Sequence, residues 1–263
     1  MTERSSFLTG EPCWADVTVP DPEAARRFYS AVFGWEFMIS GPEFGDYTVC
    51  TVGGRPVAGI MPTPPGQAMP PMWSLYLAAP DVDDPAQRIT KTCGQVLAGP
   101  MEIPGSGRMA YVADPAGAAF GLWQAGGHLG FGLVGETGAY AWSELNTRAP
   151  AVVDGSHREL FAYGQRQIGD GDTFDYSVWS LDGTEVCGRL AMTPEWGDTP
   201  THWAVYYAVD SAEATCEQIT RAGGTVLRPP FGSPYGRIAG VTDPAGASFN
   251  IVALAERTDP AAG

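Results

Sequence analysis

Apolar and polar positions change period along this chain in a fixed order, and the order comes round again. Residues 13–19, CWADVTV, alternate, with Trp14, Asp16 and Thr18 on one face, and Pro20 ends the strand that this period of two predicts. Asp21-Pro22-Glu23 then opens a helix: Asp caps, Pro suits the first turn and Glu favours the positive end of the dipole. Along AARRFYSAVF the apolar stripe is Ala25, Phe28, Tyr29 and Val32, and Gly34 stops it. Strands are predicted at 47–52 and 56–61, joined by Gly53-Gly54. The proline-rich stretch 62–71 can be neither helix nor strand and serves as a connector. The cycle restarts with a strand at 73–79, a helix from about 83 to 93 stopped by Gly94, and strands around 107–113 and 118–124.

The whole arrangement is itself duplicated. GRMAYVADPAGAAFGLW (107–123) returns as GRIAGVTDPAGASFNIV (236–252), and Trp142, Glu144 and Asn146 answer Trp14, Asp16 and Thr18. Asp175-Tyr176 answers Asp46-Tyr47, Trp203 and Tyr206 answer Trp73 and Tyr76, and a helix region at 156–163 answers 23–33. The offset stays at 128 to 130 residues, so few insertions separate the copies. The reading is a flexible arm (1–10), a first domain (11–125), a Gly-rich linker without periodicity (126–138), a second domain (139–256) and a disordered tail (257–263).

Charge and cysteine usage narrow the partners. With 30 acidic and 15 basic side chains the formal charge is -15, which opposes binding to nucleic acid or to anionic membranes. No apolar run approaches the ~20 residues of a membrane span, and no secretion signal is visible. The five cysteines are odd in number and scattered, as expected of reduced thiols in a cytoplasmic protein. Either a monomer or a homodimer is compatible with two fused domains.

The helix PDPEAARRFYSAVFGW after a first strand, with a D-P-x-G turn before the last strand of each copy, resembles the vicinal oxygen chelate superfamily. That group includes glyoxalase I, extradiol dioxygenases and bleomycin-resistance proteins. The resemblance covers about residues 11–255. It implies an α+β fold of two tandem domains, each of paired βαβββ modules whose curled mixed sheets enclose a cavity. In metal-dependent relatives, His, Glu or Gln on the first and last strands of the modules hold one divalent ion. Those positions fall on Trp14 and Trp142, near Ser74 and Ala204, and on Gly121 and Asn250. Indole offers only an N–H donor. The three histidines lie in the linker (His128), in a surface-type helix (His157) and just before a strand (His202), without metal-ligand spacing. The expectation is therefore no metal and no cofactor, with Asp16, Glu144 and Asn250 as the one set that could improvise a weak oxygen site.

By the same resemblance, the face that carries Trp14 and Asp16 is the cavity face. Asp16 and Glu144 are the candidate proton carriers and Tyr76 and Tyr206 the candidate hydrogen-bond donors to a substrate oxygen. Trp14, Trp142, Trp123, Asn146 and Asn250 are candidate ligand-binding residues. Arg108 and Arg237, which end the loops GSGR and SPYGR, stand at possible cavity lips with Tyr235; each arginine could meet a ligand anion or a neighbouring acid. Two functions remain open. One is a metal-independent enzyme acting on an oxygenated, aromatic or polyketide-like molecule by isomerisation, cyclisation or lyase chemistry. The other is a protein that binds and sequesters such a molecule; a metal-dependent glyoxalase or dioxygenase stands third.

Overall fold

The computed structural model describes residues 4–255; the expected tail at 257–263 lies outside the described residues. The first domain runs β1 (Pro12–Val19), α1 (Pro22–Phe33), β2 (Glu36–Ile39), β3 (Thr48–Val52) and β4 (Arg55–Pro62). It continues with β5 (Met72–Ala78), α2 (Asp83–Lys91), β6 (Gln95–Ile103), β7 (Gly107–Ala113) and β8 (Ala119–Ala125). The second domain repeats this as β9 (Tyr140–Thr147), α3 (Pro150–Phe161), β10 (Gly164–Ile168), β11 (Tyr176–Leu181) and β12 (Thr184–Ala191). Its second module is β13 (His202–Ala208), α4 (Ala212–Arg221), β14 (Thr225–Ser233), β15 (Gly236–Thr242) and β16 (Ser248–Leu254).

Each domain is one eight-stranded mixed sheet, ordered β2-β3-β4-β1-β5-β8-β7-β6 and β10-β11-β12-β9-β13-β16-β15-β14. The opening strands of the two modules lie side by side at the centre: β1 pairs antiparallel with β5 and parallel with β4. The sheets are open, and in the second domain Arg166 on one edge strand feels the Tyr235 hydroxyl from the other end of the sheet.

The local devices are those that the residue types dictate. Asp21 accepts the Ala24 N–H (2.9 Å) and Gly34 closes α1 in the left-handed region (φ 69°), a cap worth about 1 kcal/mol. In the D-P-x-G turns, Asp114 Oδ1 accepts the N–H groups of Ala116 (2.8 Å) and Ala118 (3.0 Å). Asp243 Oδ1 does the same for Ala245 and Ala247 (both 2.9 Å), with Gly117 and Gly246 at φ 91° and 100°. Two expectations about helices are corrected. The helix expected at 156–163 begins earlier, at Pro150, whose ring presets the first turn. His157 does not face water: it is fully buried, stacked on Trp179 at 4.9 Å, and burial pushes its pKa down to about 4.

Rings of its own domain bury His157 on most sides, and the contact between domains adds Phe120. Helix α1 packs on α4 and α2 on α3, and aromatic rings from both domains fill the seam. Tyr29, Trp35 and Trp73 meet Tyr207 and Phe249 at 5.2–6.3 Å, and the Tyr29 hydroxyl donates to Asp243 Oδ2 (3.1 Å). On the other side of the seam, Phe120 lies against His157, Phe161 and Trp203. Segment 126–138 is packed as well. Phe131 and Leu133 are buried, Phe131 stacks on Tyr140 (4.5 Å), and its N–H donates to the Cys13 carbonyl (2.7 Å). The arm is tied down at Gly10, whose N–H donates to the Ala78 carbonyl (2.7 Å) and whose carbonyl accepts the Tyr163 hydroxyl.

Candidate functional site

The first domain gathers one carboxylate and two phenols on the face of β1 that the alternation marks. Asp16 Oδ2 accepts the Tyr47 hydroxyl (3.0 Å) and the Tyr76 hydroxyl (3.1 Å), while the Trp14 indole N–H donates to the Tyr47 oxygen (2.7 Å). Strand register explains the meeting: Asp16 is opposite Gly59 on β4 and Ser74 on β5, and Trp14 is opposite Tyr76. Tyr47 enters from the start of β3 by crossing over Gly59, where a methyl group would overlap its hydroxyl. Asp16 is buried, and loss of water drives its pKa up to about 6 even though both tyrosines pull it down. The same burial, with the Asp16 charge beside them, holds Tyr47 and Tyr76 well above the usual phenol range, so both remain proton donors.

The second domain builds the same group from the repeat. Tyr206 donates to Glu144 Oε1 (2.7 Å), the Trp142 indole donates to the Tyr176 hydroxyl oxygen (2.9 Å), and Tyr176 stands near enough to Glu144 to pull its pKa down. Gly188 stands opposite Glu144 as Gly59 does opposite Asp16, and a methyl there would overlap the Tyr176 hydroxyl. Burial raises the pKa of Glu144; Tyr206, Tyr176 and the charge of Arg228 oppose the rise. Sequence reasoning nominated the tryptophans, acids and Tyr76 and Tyr206 but not Tyr47, Tyr176 or Arg228. A signal for the first two was present, since Tyr47, Gly59 and Asp46 all recur 129 residues later.

The remaining candidates are placed as follows. Trp123 is buried and donates to the His128 carbonyl (3.0 Å), and His128 stands edge-on to Trp14 at 4.4 Å. Asn146 Nδ2 lies 3.3 Å from His202 Nε2, and because His202 Nδ1 donates to the Pro200 carbonyl (2.8 Å), Nε2 is the acceptor. Asn250 is half-buried on β16, in register with Tyr206. Arg108 and Arg237 take the second of the roles open to them: Arg108 pairs with Asp83 (2.9 Å) and Arg237 with Glu213 (2.9 Å from Nε). Tyr235 is exposed at the turn between β14 and β15.

Could a divalent ion sit here? The row that would face it reads Trp14, Tyr76, Gly121 in one domain and Trp142, Tyr206, Asn250 in the other. The indoles are engaged as donors and the tyrosines are bonded to the acids. Among the described residues no three His, Cys, Asp or Glu side chains converge as a metal site. The donor set does not fit a bound metal ion.

Comparison with known proteins agrees with this architecture. The model of the Glyoxalase/Bleomycin resistance protein/Dioxygenase superfamily matches residues 13–122 and 127–251. "Putative glyoxylase CFP32" of Mycobacterium tuberculosis (strain CDC 1551 / Oshkosh) is 38% identical over 259 residues, covering 96% of this chain and 98% of the relative. "Anthracycline biosynthesis protein DnrV" of Streptomyces peucetius is 35% identical over 273 residues, covering 98% of each. Among solved structures, the Mn(II)-bound glyoxalase from Novosphingobium aromaticivorans superposes with a TM-score of 0.66 at 14% identity, over 94% of this chain and 82% of that one. The 2,3-dioxygenase LapB from Pseudomonas sp. KL28 gives 0.64 at 16% identity, over 97% and 96%. At such identities the structures show a shared fold.

Proposed function

The chain belongs to the Glyoxalase/Bleomycin resistance protein/Dioxygenase superfamily, and on that premise we propose that it is a metal-independent enzyme acting on an oxygenated aromatic small molecule by acid–base chemistry. One observation carries the reading: a buried carboxylate held by phenols recurs in both domains at the sheet centre. Buried acids are costly unless paired, and a carboxyl whose pKa stands near 6 can both take and return a proton near neutrality. Asp16 is buried while Tyr47 and Tyr76 are half-buried, so a substrate on that face would meet a phenol first. The carboxylate removes a proton next to a substrate carbonyl, and the phenol turns from the carboxylate to donate to the enolate oxygen. Returning the proton at another carbon gives isomerisation; expelling a leaving group gives elimination. The relative named for anthracycline biosynthesis, aligned over nearly the full length of both chains, supports a polycyclic oxygenated aromatic as the substrate class.

A second reading, binding without turnover, draws on a different feature of the same geometry. At rest Tyr47, Tyr76 and Tyr206 are already bonded to Asp16 and Glu144, so the acids are satisfied without a substrate. The experiment that separates the two incubates the protein with a panel of hydroxyanthraquinones and related polyketide aromatics, following both binding and product mass. For an enzyme, replacing the acid of the working domain, by Asp16→Asn or by Glu144→Gln, stops product formation while binding persists. Binding with no product from any member of the panel selects the sequestering reading.

A further inference from the structure

The two acid-bearing sheet faces can be compared position by position, because a single row of register partners crosses five strands in each sheet. In the first domain the row is Ala98, Tyr111, Gly121, Tyr76, Trp14. In the second it is Arg228, Gly240, Asn250, Tyr206, Trp142. Neighbours in such a row share one face of the sheet, so each difference is a difference in what that face presents.

Three of these differences act in one direction. First, Tyr111 covers this face of the first domain, its hydroxyl 3.0 Å from Ser74 Oγ and its ring 6.5 Å from that of Tyr76; its counterpart Gly240 carries no side chain, and Asn250 and Arg228 flank it. Second, Trp14 is covered by the inter-domain segment, with His128 at 4.4 Å and Phe131 at 5.5 Å, and is 3% exposed, whereas Trp142 is only half-buried. Third, the second row ends in a cation. The Arg228 guanidinium lies 3.6 Å from the centre of the Phe231 ring and makes no ion pair among the described residues, yet its charge reaches Glu144 and Tyr206. A buried acceptor is also left over: Asn146 is 1% exposed and its Oδ1 has no donor, on the face of β9 that carries Trp142 and Glu144.

We propose that the ligand site of this protein is the acid-bearing sheet face of the second domain alone, and that it takes an oxygenated aromatic bearing a carboxylate, which pairs with Arg228 while the rings lie across Gly240 toward Trp142. The corresponding face of the first domain, covered by Tyr111, His128 and Phe131, is structural. This rests on the small-molecule reading above and sharpens it to one domain and one ligand charge. A stacked guanidinium is held flat, with its edge N–H groups free for a carboxylate, and a donor on the ligand would satisfy Asn146.

The test uses anthraquinone-2-carboxylate and its uncharged carboxamide as probes, titrated calorimetrically into the full chain. The expected result is one site per chain and a preference of tenfold or more for the carboxylate, the size of one charge-assisted hydrogen bond. Arg228→Gln, at an exposed position, abolishes that preference; Gly240→Tyr abolishes binding; Tyr111→Phe leaves both probes as in the wild type. Two equivalent sites, an undiminished preference in Arg228→Gln, or retained binding in folded Gly240→Tyr overturns the assignment while leaving a small-molecule site in place. Failure of the wild type to bind either probe or any aromatic of the wider panel overturns the assignment and the small-molecule reading together.

Discussion

Tyr111 in the first domain reaches back to Ser74; Gly240 in the second reaches nothing, and beside it Arg228 stands where the first domain has Ala98. Around these unlike walls the group of tryptophan, tyrosines and acid is the same. Duplication has therefore kept what two buried carboxylates require, phenols to bond them and glycines to let the phenols in, and has released what only a ligand would require. The scaffolds differ too. Arg189 of β12 is buried and bonds to Asp154 (3.0 Å) and Asp175 (2.7 Å), beside Tyr176, whereas its counterpart on β4 is the apolar Ile60.

The comparison breaks most easily at the acids. With the second domain as the working one, Glu144→Gln lowers kcat/KM by about 100-fold or more and Asp16→Asn by less than about fivefold. Equal losses in parallel kinetics would make the domains equivalent. Next in size is the scaffold: Arg189→Ala removes the buried cation that two half-buried carboxylates share and costs about 3 kcal/mol by urea denaturation, an effect that Ile60→Val, at about 0.5–1.5 kcal/mol, does not approach. Gly59→Ala and Gly188→Ala displace the phenols and cost about 1–3 kcal/mol each. Here the domains should agree; a tolerated Gly188→Ala would mean that Tyr176 is not needed at Glu144.

The smallest effect concerns pH. The pKa of Asp16 rises from its ordinary 3.8 to about 6 on folding, so its contribution to stability is full below pH 3.8 and is lost as pH rises through 6. Asp16→Asn removes that loss. It should raise the melting temperature above pH 6, by the equivalent of about 1–2 kcal/mol once the unpartnered amide N–H is counted, and lower it by the equivalent of about 1–2 kcal/mol near pH 3, where only that N–H counts. Glu144→Gln should gain less, because Arg228 already restrains the rise at Glu144. Matching gains in a pH series of thermal melts would remove Arg228 from the electrostatics of the site.

Much of this was legible before any coordinates. Asp21 and Gly34 bound α1 at the places where a capping carboxylate and a left-handed residue are needed, and the D-P-x-G turns follow from one carboxylate oxygen bonding two N–H groups. The inward acids were readable from alternation on β1 and β9. What escaped notice lies where local pattern says nothing. The edge strands β6 and β14 are exposed along most of their length and interrupted by proline, so no alternation marks them, and Arg228 rides on one of them. Tyr47 precedes its strand and reaches Asp16 only because β4 brings Gly59 between them. His157 looks like a surface residue because the rings that bury it include Phe120, from the other domain.

Tyr29 and Trp35 belong to the first domain, yet their polar atoms are satisfied by Asp243 and by the Gly138 carbonyl, beyond its last strand. Parting the domains would put those rings in water and leave Asp243 without its phenol. Heat should therefore melt the chain in a single cooperative step rather than one domain at a time. A ligand gripping only the second domain then protects the first as well: at one hundred times its Kd it adds about 2.7 kcal/mol to the whole unit. A thermal-shift screen can thus find the ligand without knowing which cavity holds it.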